Sequence, residues 1–239
     1  MAETHSSNLT KRAAHALRQR IVQGGLPGGT RLYEVALSEE LQISRTPVRE
    51  AMSRLAEEGL LERAPSGGFQ VRAFSLADVL DAIELRGVLE GTAARLAAER
   101  GAAAADLDRM RGLLVRLDAC FVRDTVEFDA YSELNAQFHQ SLTELCRSDV
   151  VLRELDRVRS LPFASPSAFV LGGPEAGRSL VIAQAQHHAL VEAIAAREGA
   201  RAEALAREHA RTARSNLASA LADGARPAEG FPGQALIVR

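Results

Sequence analysis

Apolar positions recur at helical spacing almost from the start of this chain. In "LTKRAAHALRQRIVQGG", Leu9, Ala13, Leu17 and Ile21 fall on one stripe that stops at Gly24 and Gly25, which predicts a helix and its end. "LPGGTRL" reads as a turn. A short helix from about Tyr33 to Leu41 offers Val35, Leu37 and Leu41 to a core, and "QISR" links it tightly to a third helix. Ser44 or Thr46 is placed to cap that helix, and Pro47 fits its first turn, where the N–H it lacks would have no partner. Val48, Met52 and Leu55 form its buried side, Gly59 ends it, and "LLERA" and "FQVRA" alternate as two short strands around a "PSGG" turn.

From residue 73 the chain is rich in Ala, Leu, Arg and Glu and loses all strand-like alternation. Ser75 with Asp78 makes a capping-box-like start to a helix that runs to Gly101. Further helices are predicted over about 104–122, 125–146, 149–160, 178–197 and 200–222. The fold class is therefore mainly α. A winged helix-turn-helix with a β-hairpin wing occupies 1–72, an all-α bundle 73–223, and a tail 224–239. Residues 161–177 hold three prolines and three glycines and read as a long connection. The tail begins like a linker and ends on the apolar "ALIVR", to which the pattern gives no role.

Composition adds limits. With 239 residues and 46% hydrophobic side chains the chain can bury two modest cores, as the change of character suggests. Cys120 and Cys146 form no C-x-x-C pair, no run of 18 apolar residues occurs, and the N-terminus has no apolar core of a signal peptide; a cytoplasmic protein without membrane association is expected. The net charge of −2 weighs against nucleic-acid binding until the charges are located: residues 1–72 hold 10 Arg and Lys against 8 Asp and Glu.

Arg45 and Arg49, four residues apart, share one face at the start of the third helix, whereas Val48 and Met52 face the core. A recognition helix presents its N-terminal side chains to the major groove, so this is where base and phosphate contacts are needed. The competing reading pairs these arginines with Glu39, Glu50 or Glu57 on a solvated face, which leaves the turn and wing without a purpose.

In the bundle, Asn135 and His139 lie one turn apart on a stripe with Tyr131, Phe138 and Leu142. His187 aligns with Leu180, Ala183, Leu190, Val191 and Ile194 and faces inward, while His188, flanked by Gln184 and Glu192, does not. His209 aligns with Leu205, Ala206, Ala213 and Leu217. Three inward histidines from three helices suit a divalent metal, completed by an amide oxygen or water. Hydrogen-bonded core histidines, or histidines that touch an organic anion directly, are the alternatives.

The run from "GGLPGGTRLYEVALSEELQISRTPVREAMSRLAEEGLLE" to "GGFQVR" resembles the DNA-binding domain of the GntR family of bacterial transcription regulators. The resemblance implies that Arg31, Ser44, Arg45, Thr46 and Arg49 touch DNA, with Gly67 and Gly68 at a wing tip near the minor groove. The remainder resembles the FCD effector domain, and "DAIELRGVLEGTAARLAAERG" with "YSELNAQFH" is similar to vanillate-responsive repressors. That family carries Asp-x-x-Phe-His and one histidine on each of two later helices. This implies a metal on Asn135, His139, His187 and His209, zinc being the expected ion. Asn135 stands where the family has aspartate, and a neutral oxygen attracts a cation less than a carboxylate does.

Arg86 follows Val79 and Ile83 on an inward face, placed either to receive a carboxylate bidentately or to pair with Glu90. The sequence thus reads as a homodimeric repressor that binds an inverted-repeat operator and responds to a small carboxylate, aromatic ones included. A metal-dependent enzyme fused to a DNA-binding domain lacks a visible inward acid near the histidines to act as a base. A dimer that senses nothing has no need to bury three imidazoles.

Overall fold

The computed structural model describes residues 2–122, 125–161, 164–166, 174–222 and 234–238. The chain divides into two compact units: Met1–Val79 with Ser160–Pro162 and Pro232–Arg239, and Leu80–Arg159 with Phe163–Phe231.

In the first unit, α1 (Ala2–Val22) buries Ala13, Leu17 and Ile21 against α3 (Arg45–Glu57). α3 contributes Val48, Met52 and Leu55, each fully buried and each worth about 1.5–3 kcal/mol of apolar transfer. α2 (Glu34–Leu41) buries Leu37 alone, and Val35, expected in the core, is 51% exposed. Two residues on a helix lie about 200° apart, so Leu37 and Val35 cannot both face inward. Ser44 is the N-cap residue of α3, yet its hydroxyl makes no capping hydrogen bond.

β2 (Leu61–Arg63) and β3 (Phe69–Val71) form the expected hairpin, with Leu61 opposite Val71 and Arg63 opposite Phe69. Gly67 and Gly68 turn it with φ of 85° and 79°, a region that favours glycine. The turn read in "LPGGTRL" ends in a strand, β1 (Arg31–Leu32), which pairs antiparallel with β3 and makes the sheet three-stranded, in the order β1-β3-β2. A two-residue strand has no alternation to read, and its partner lies nearly forty residues away.

Residues 235–238 of the tail also belong to this unit. Gly28 N–H donates to Ala235 O at 2.9 Å, Phe74 N–H to Leu236 O at 2.8 Å and Val238 N–H to Phe74 O at 2.9 Å; Phe74 and Ile237 form a parallel bridge. Leu236 is fully buried. Leu236→Ala is expected to destabilise this unit by about 2–5 kcal/mol, seen as a lower urea midpoint at unchanged slope. An unchanged midpoint would mean that the tail only rests on the surface.

The second unit is built on α4 (Leu76–Arg100), whose first turn lies in the first unit. Its predicted capping box is present, with Asp78 N–H donating to Ser75 Oγ at 3.1 Å; the Ser75 hydroxyl at 2.7 Å, and then the Ser75 N–H at 2.8 Å, donate to Asp78 Oδ2 and hold the Asp78 carboxyl below its usual range. There follow α5 (Ala104–Asp118), α6 (Phe128–Glu144), α7 (Asp149–Arg159), α8 (Pro174–Ala195) and α9 (Gly199–Ala222). The helices expected to run to 122 and from 125 are cut short by a hairpin of β4 (Phe121–Val122) and β5 (Thr125–Val126). Phe121 packs edge-on to Tyr131 across it, 5.6 Å between centroids, and Glu127 N–H donates to Cys120 O. α8 begins at Pro174, inside the predicted connection, where proline suits a first helical turn. Most of that connection, residue 223 and residues 224–233 of the tail lie outside the described residues.

The core of this unit joins Met110, Leu114, Tyr131, Phe138, Leu142, Leu190 and Ile194. α4 and α9 approach closely at glycines: a Cβ on Gly87 would stand 2.6 Å from Ala210 Cβ, and one on Gly91 2.9 Å from Arg207 Cγ. This approach brings the Arg86 and Glu90 face of α4 toward the helix that carries His209. Among the described residues no helix is long and apolar enough to cross a membrane.

Candidate functional site

Two places gather the residues singled out in the sequence. In the first unit, Ser44, Arg45, Thr46 and Arg49 are all exposed at the N-terminal end of α3. Arg31 projects from β1 to the wing turn, where its guanidinium bonds Ser66 Oγ and donates to Gly67 O at 2.6 Å; Gly67 and Gly68 are exposed. Arg49 does have an acidic partner, though none of those considered from the sequence. Its Nε and Nη2 donate to the two oxygens of Glu34 at 2.8 and 2.7 Å, and Arg45 Nη2 lies 3.9 Å from the same carboxylate. The hydrogen bond from Arg49 draws the Glu34 carboxyl below its usual range.

In the second unit, α6, α8 and α9 bring His139, His187 and His209 together, each buried. His187 Nε2 is 3.2 Å from His209 Nε2, which is 3.3 Å from His139 Nε2. One ligand atom from each ring lies within 4.8 Å of the others. On their far sides the rings meet acceptors. His187 Nδ1 is 3.0 Å from Gln184 Oε1, His209 Nδ1 is 2.9 Å from Gln186 Oε1, and His139 Nδ1 faces Glu90 Oε2 at 3.3 Å, off the hydrogen-bond axis.

The orientation of each glutamine amide is fixed by its other end. Gln184 Nε2 donates to Asp118 Oδ1 at 2.7 Å. Gln186 Nε2 donates at 3.2 Å to Thr212 Oγ1, whose own proton goes to Glu208 O. The oxygens are therefore the atoms presented to the His187 and His209 imidazoles, so in these two rings Nδ1 carries the proton and Nε2 is left as a bare lone pair. Lone pairs that converge at about 3 Å repel unless a cation stands between them. Burial, and next the charge of the neighbouring rings, hold His187 well below the usual imidazole range and His209 down to about 3. Burial lowers His139 as well, against the opposing pull of Glu90. The donor set fits a divalent ion.

Asn135 is buried one turn before His139, and its Nδ2 donates to Pro166 O at 3.3 Å, which turns Oδ1 away from that carbonyl. His188 points outward to Asp118 at 3.0 Å, as its flanks suggested. Four residues behind the rings, Glu90, Arg159, Gln184 and Gln186, were not read in these roles from the sequence. Glu90 is buried, contrary to the expectation of no inward acid; burial raises its carboxyl, but the His139 ring and the Arg86 and Arg159 guanidiniums around it outweigh that and hold it well below the usual carboxylate range. It stands behind His139 rather than beside the converging nitrogens, so it is no base for a reaction there. Arg159, from α7, donates to Glu90 Oε1 at 2.8 Å and so takes the partner that the sequence offered to Arg86. Gln184, read as a polar flank of His188, is buried. Glu90 sits one turn after Arg86 on the same stripe, and that spacing was the available signal.

Residues 9–71 match the bacterial regulatory proteins of the gntR family, and residues 81–212 match the FCD domain. The chain belongs to the GntR family. Within this family of DNA-binding regulators, not enzymes, it is 34% identical over 125 residues to the Nta operon transcriptional regulator of Aminobacter aminovorans, across 52% of this chain and 58% of that protein. The GntR chain thus spans little more than half the length of that relative. It is 31% identical to the HTH-type transcriptional repressor RspR of Escherichia coli (strain K12), across 65% of this chain and 71% of the relative. The solved structure of E. coli McbR/YncC shares its fold, with a TM-score of 0.62 at 21% identity over 90% of this chain and 98% of that one.

Proposed function

We propose that this protein is a cytoplasmic, homodimeric repressor that leaves its operator when a small carboxylate binds its FCD domain, with a divalent ion, zinc, as part of the ligand site. The convergence of three buried Nε2 atoms, with the His187 and His209 rings fixed from behind by Gln184 and Gln186, carries this reading. His139, His187 and His209 would hold the ion, with Asn135 Oδ1 as a further, neutral ligand. The ion supplies positive charge that anchors an anionic ligand. Arg86, buried beside the centre, receives its carboxylate.

At the other unit Arg45 and Arg49, with Ser44 and Thr46, enter the major groove, and Arg31 with the Gly67 and Gly68 turn reaches the adjoining minor groove. The acidic Glu34 holds Arg49 in one orientation and competes with phosphate for it. One winged helix covers only a few base pairs, so specificity needs two recognition helices on an inverted repeat. A ligand shifts such a dimer only if it prefers the state that does not bind the operator. Similarity to RspR, a transcriptional repressor, favours repression over activation.

Light scattering with footprinting tests the assembly. A dimer that protects a short inverted repeat is expected. A monomer on one asymmetric half-site would remove this reading.

A further inference from the structure

The charge around the histidine centre does not balance. Arg86 is 2% exposed, and its Nε and Nη1 are buried with no hydrogen-bond partner. Arg159 is better satisfied: Nη2 donates to Glu90 Oε1 and to His139 O, and Nη1 to Thr143 Oγ1 at 3.2 Å, although its Nε too is buried and unbonded. Among the described residues Glu90 is the one fully buried carboxylate. Two guanidinium cations share it, which leaves one positive charge. Every donor offered to a metal there, three imidazoles and an amide, is neutral. A divalent ion raises the excess to three positive charges in an interior where an uncompensated charge is costly.

A monocarboxylate on the ion would still leave the Arg86 guanidinium without an acceptor. Arg86 lies one helical turn, about 6 Å along α4, from Glu90, and Glu90 Oε2 is 3.3 Å from the His139 ring. A second acidic group, carried on the same ligand, would supply the acceptor that the buried Arg86 Nε and Nη1 lack. Resting on the metal site proposed above, we infer that the effector is a small dianion of the dicarboxylate class, one carboxylate at the histidine centre and the other received by Arg86. Arg86 then sets specificity for the second charge, whereas the metal binds the first.

Calorimetry on the zinc-loaded full chain tests this with matched acids: malonate against propionate, succinate against butyrate, glutarate against valerate. At least one diacid is expected to bind about tenfold or more tightly than its matched monoacid, the size of effect a charge-assisted hydrogen bond gives. Arg86→Gln should bring the ratio of diacid to monoacid affinity to about one while it leaves zinc uptake within about twofold of wild type, and Arg86→Lys should keep part of the preference. Circular dichroism confirms that both variants fold. Equal affinities within every pair, an equal loss for both acids in Arg86→Gln, or no binding by any acid of the panel would overturn the inference. Zinc titration of the wild type, run first, separates the two ideas: no uptake sinks the metal site and the inference with it, whereas uptake without a diacid preference sinks the inference alone.

Discussion

His187→Ala is expected to weaken uptake of a divalent ion severely, and His188→Ala to leave it intact. The two residues are neighbours in sequence, but only the first turns its Nε2 to the other rings, while the second pairs with Asp118. Loss of one ligand of three is expected to weaken binding roughly a hundredfold or more, given the free energy of a structural zinc site. Gln184→Ala should cost about 10–100-fold without touching the metal, because it releases the Nδ1 proton that fixes the His187 tautomer. Asn135→Asp should tighten binding by offering a charged oxygen.

The pH dependence follows from the depressed imidazoles. An unfolded histidine titrates near 6.5, whereas His209 in the fold does so at about 3, and His187 and His139 are also lowered. Between these values the unfolded chain binds more protons than the folded one. Stability of the metal-free protein is therefore complete above about pH 6.5 and falls on acidification toward the folded values, with a slope of up to about 1.4 kcal/mol per pH unit for each histidine. For the same reason protons compete weakly for the folded site, and the ion should stay bound through pH 6 and leave only in more acidic solution. Elemental analysis of protein purified without chelator or histidine tag, with metal titrations and melting curves from pH 7 to 4, checks both points. A wild type that neither contains nor takes up metal, or a metal-free melting temperature flat over this interval, would contradict them.

The second large effect is expected on DNA. If Arg45 or Arg49 reads a base edge, its change to alanine costs about 1–3 kcal/mol on the preferred site and relaxes sequence preference; a phosphate contact instead reduces the slope of log affinity against log salt by about 0.9. Glu34→Ala separates positioning from competition. Removal of the carboxylate that grips Arg49 through both oxygens should raise affinity for unrelated duplexes, since a negative charge leaves the DNA face, and lower the ratio of specific to non-specific binding. Anisotropy titrations on the operator and a scrambled duplex at several salt concentrations measure both quantities. Unchanged operator affinity in the Arg45→Ala, Arg49→Ala double variant, with its circular dichroism intact, would refute the recognition helix.

How far the sequence reaches depends on the range of the interaction. Helix periodicity is local, so the helices of both units, the wing turn at Gly67 and Gly68 and the capping box at Ser75 were legible with errors only at their ends. The same periodicity placed His139, His187 and His209 on inward faces and turned His188 out, because a helix carries each residue about 100° from the last. Inward direction alone does not say what a side chain meets. That Glu34 grips Arg49, that Arg159 rather than Arg86 holds Glu90, that Gln184 and Gln186 face the rings with their oxygens, and that Leu236 fills the DNA-binding unit were decided by tertiary packing. Apart from Gln184, three residues before His187 on the same helix, these contacts join elements whose separation in sequence carries no pattern: Arg159 is 69 positions after Glu90, and Gln186 is 23 before His209. Burial strips water from these groups, and the resulting need for partners is met by whichever side chain the packed helices bring near.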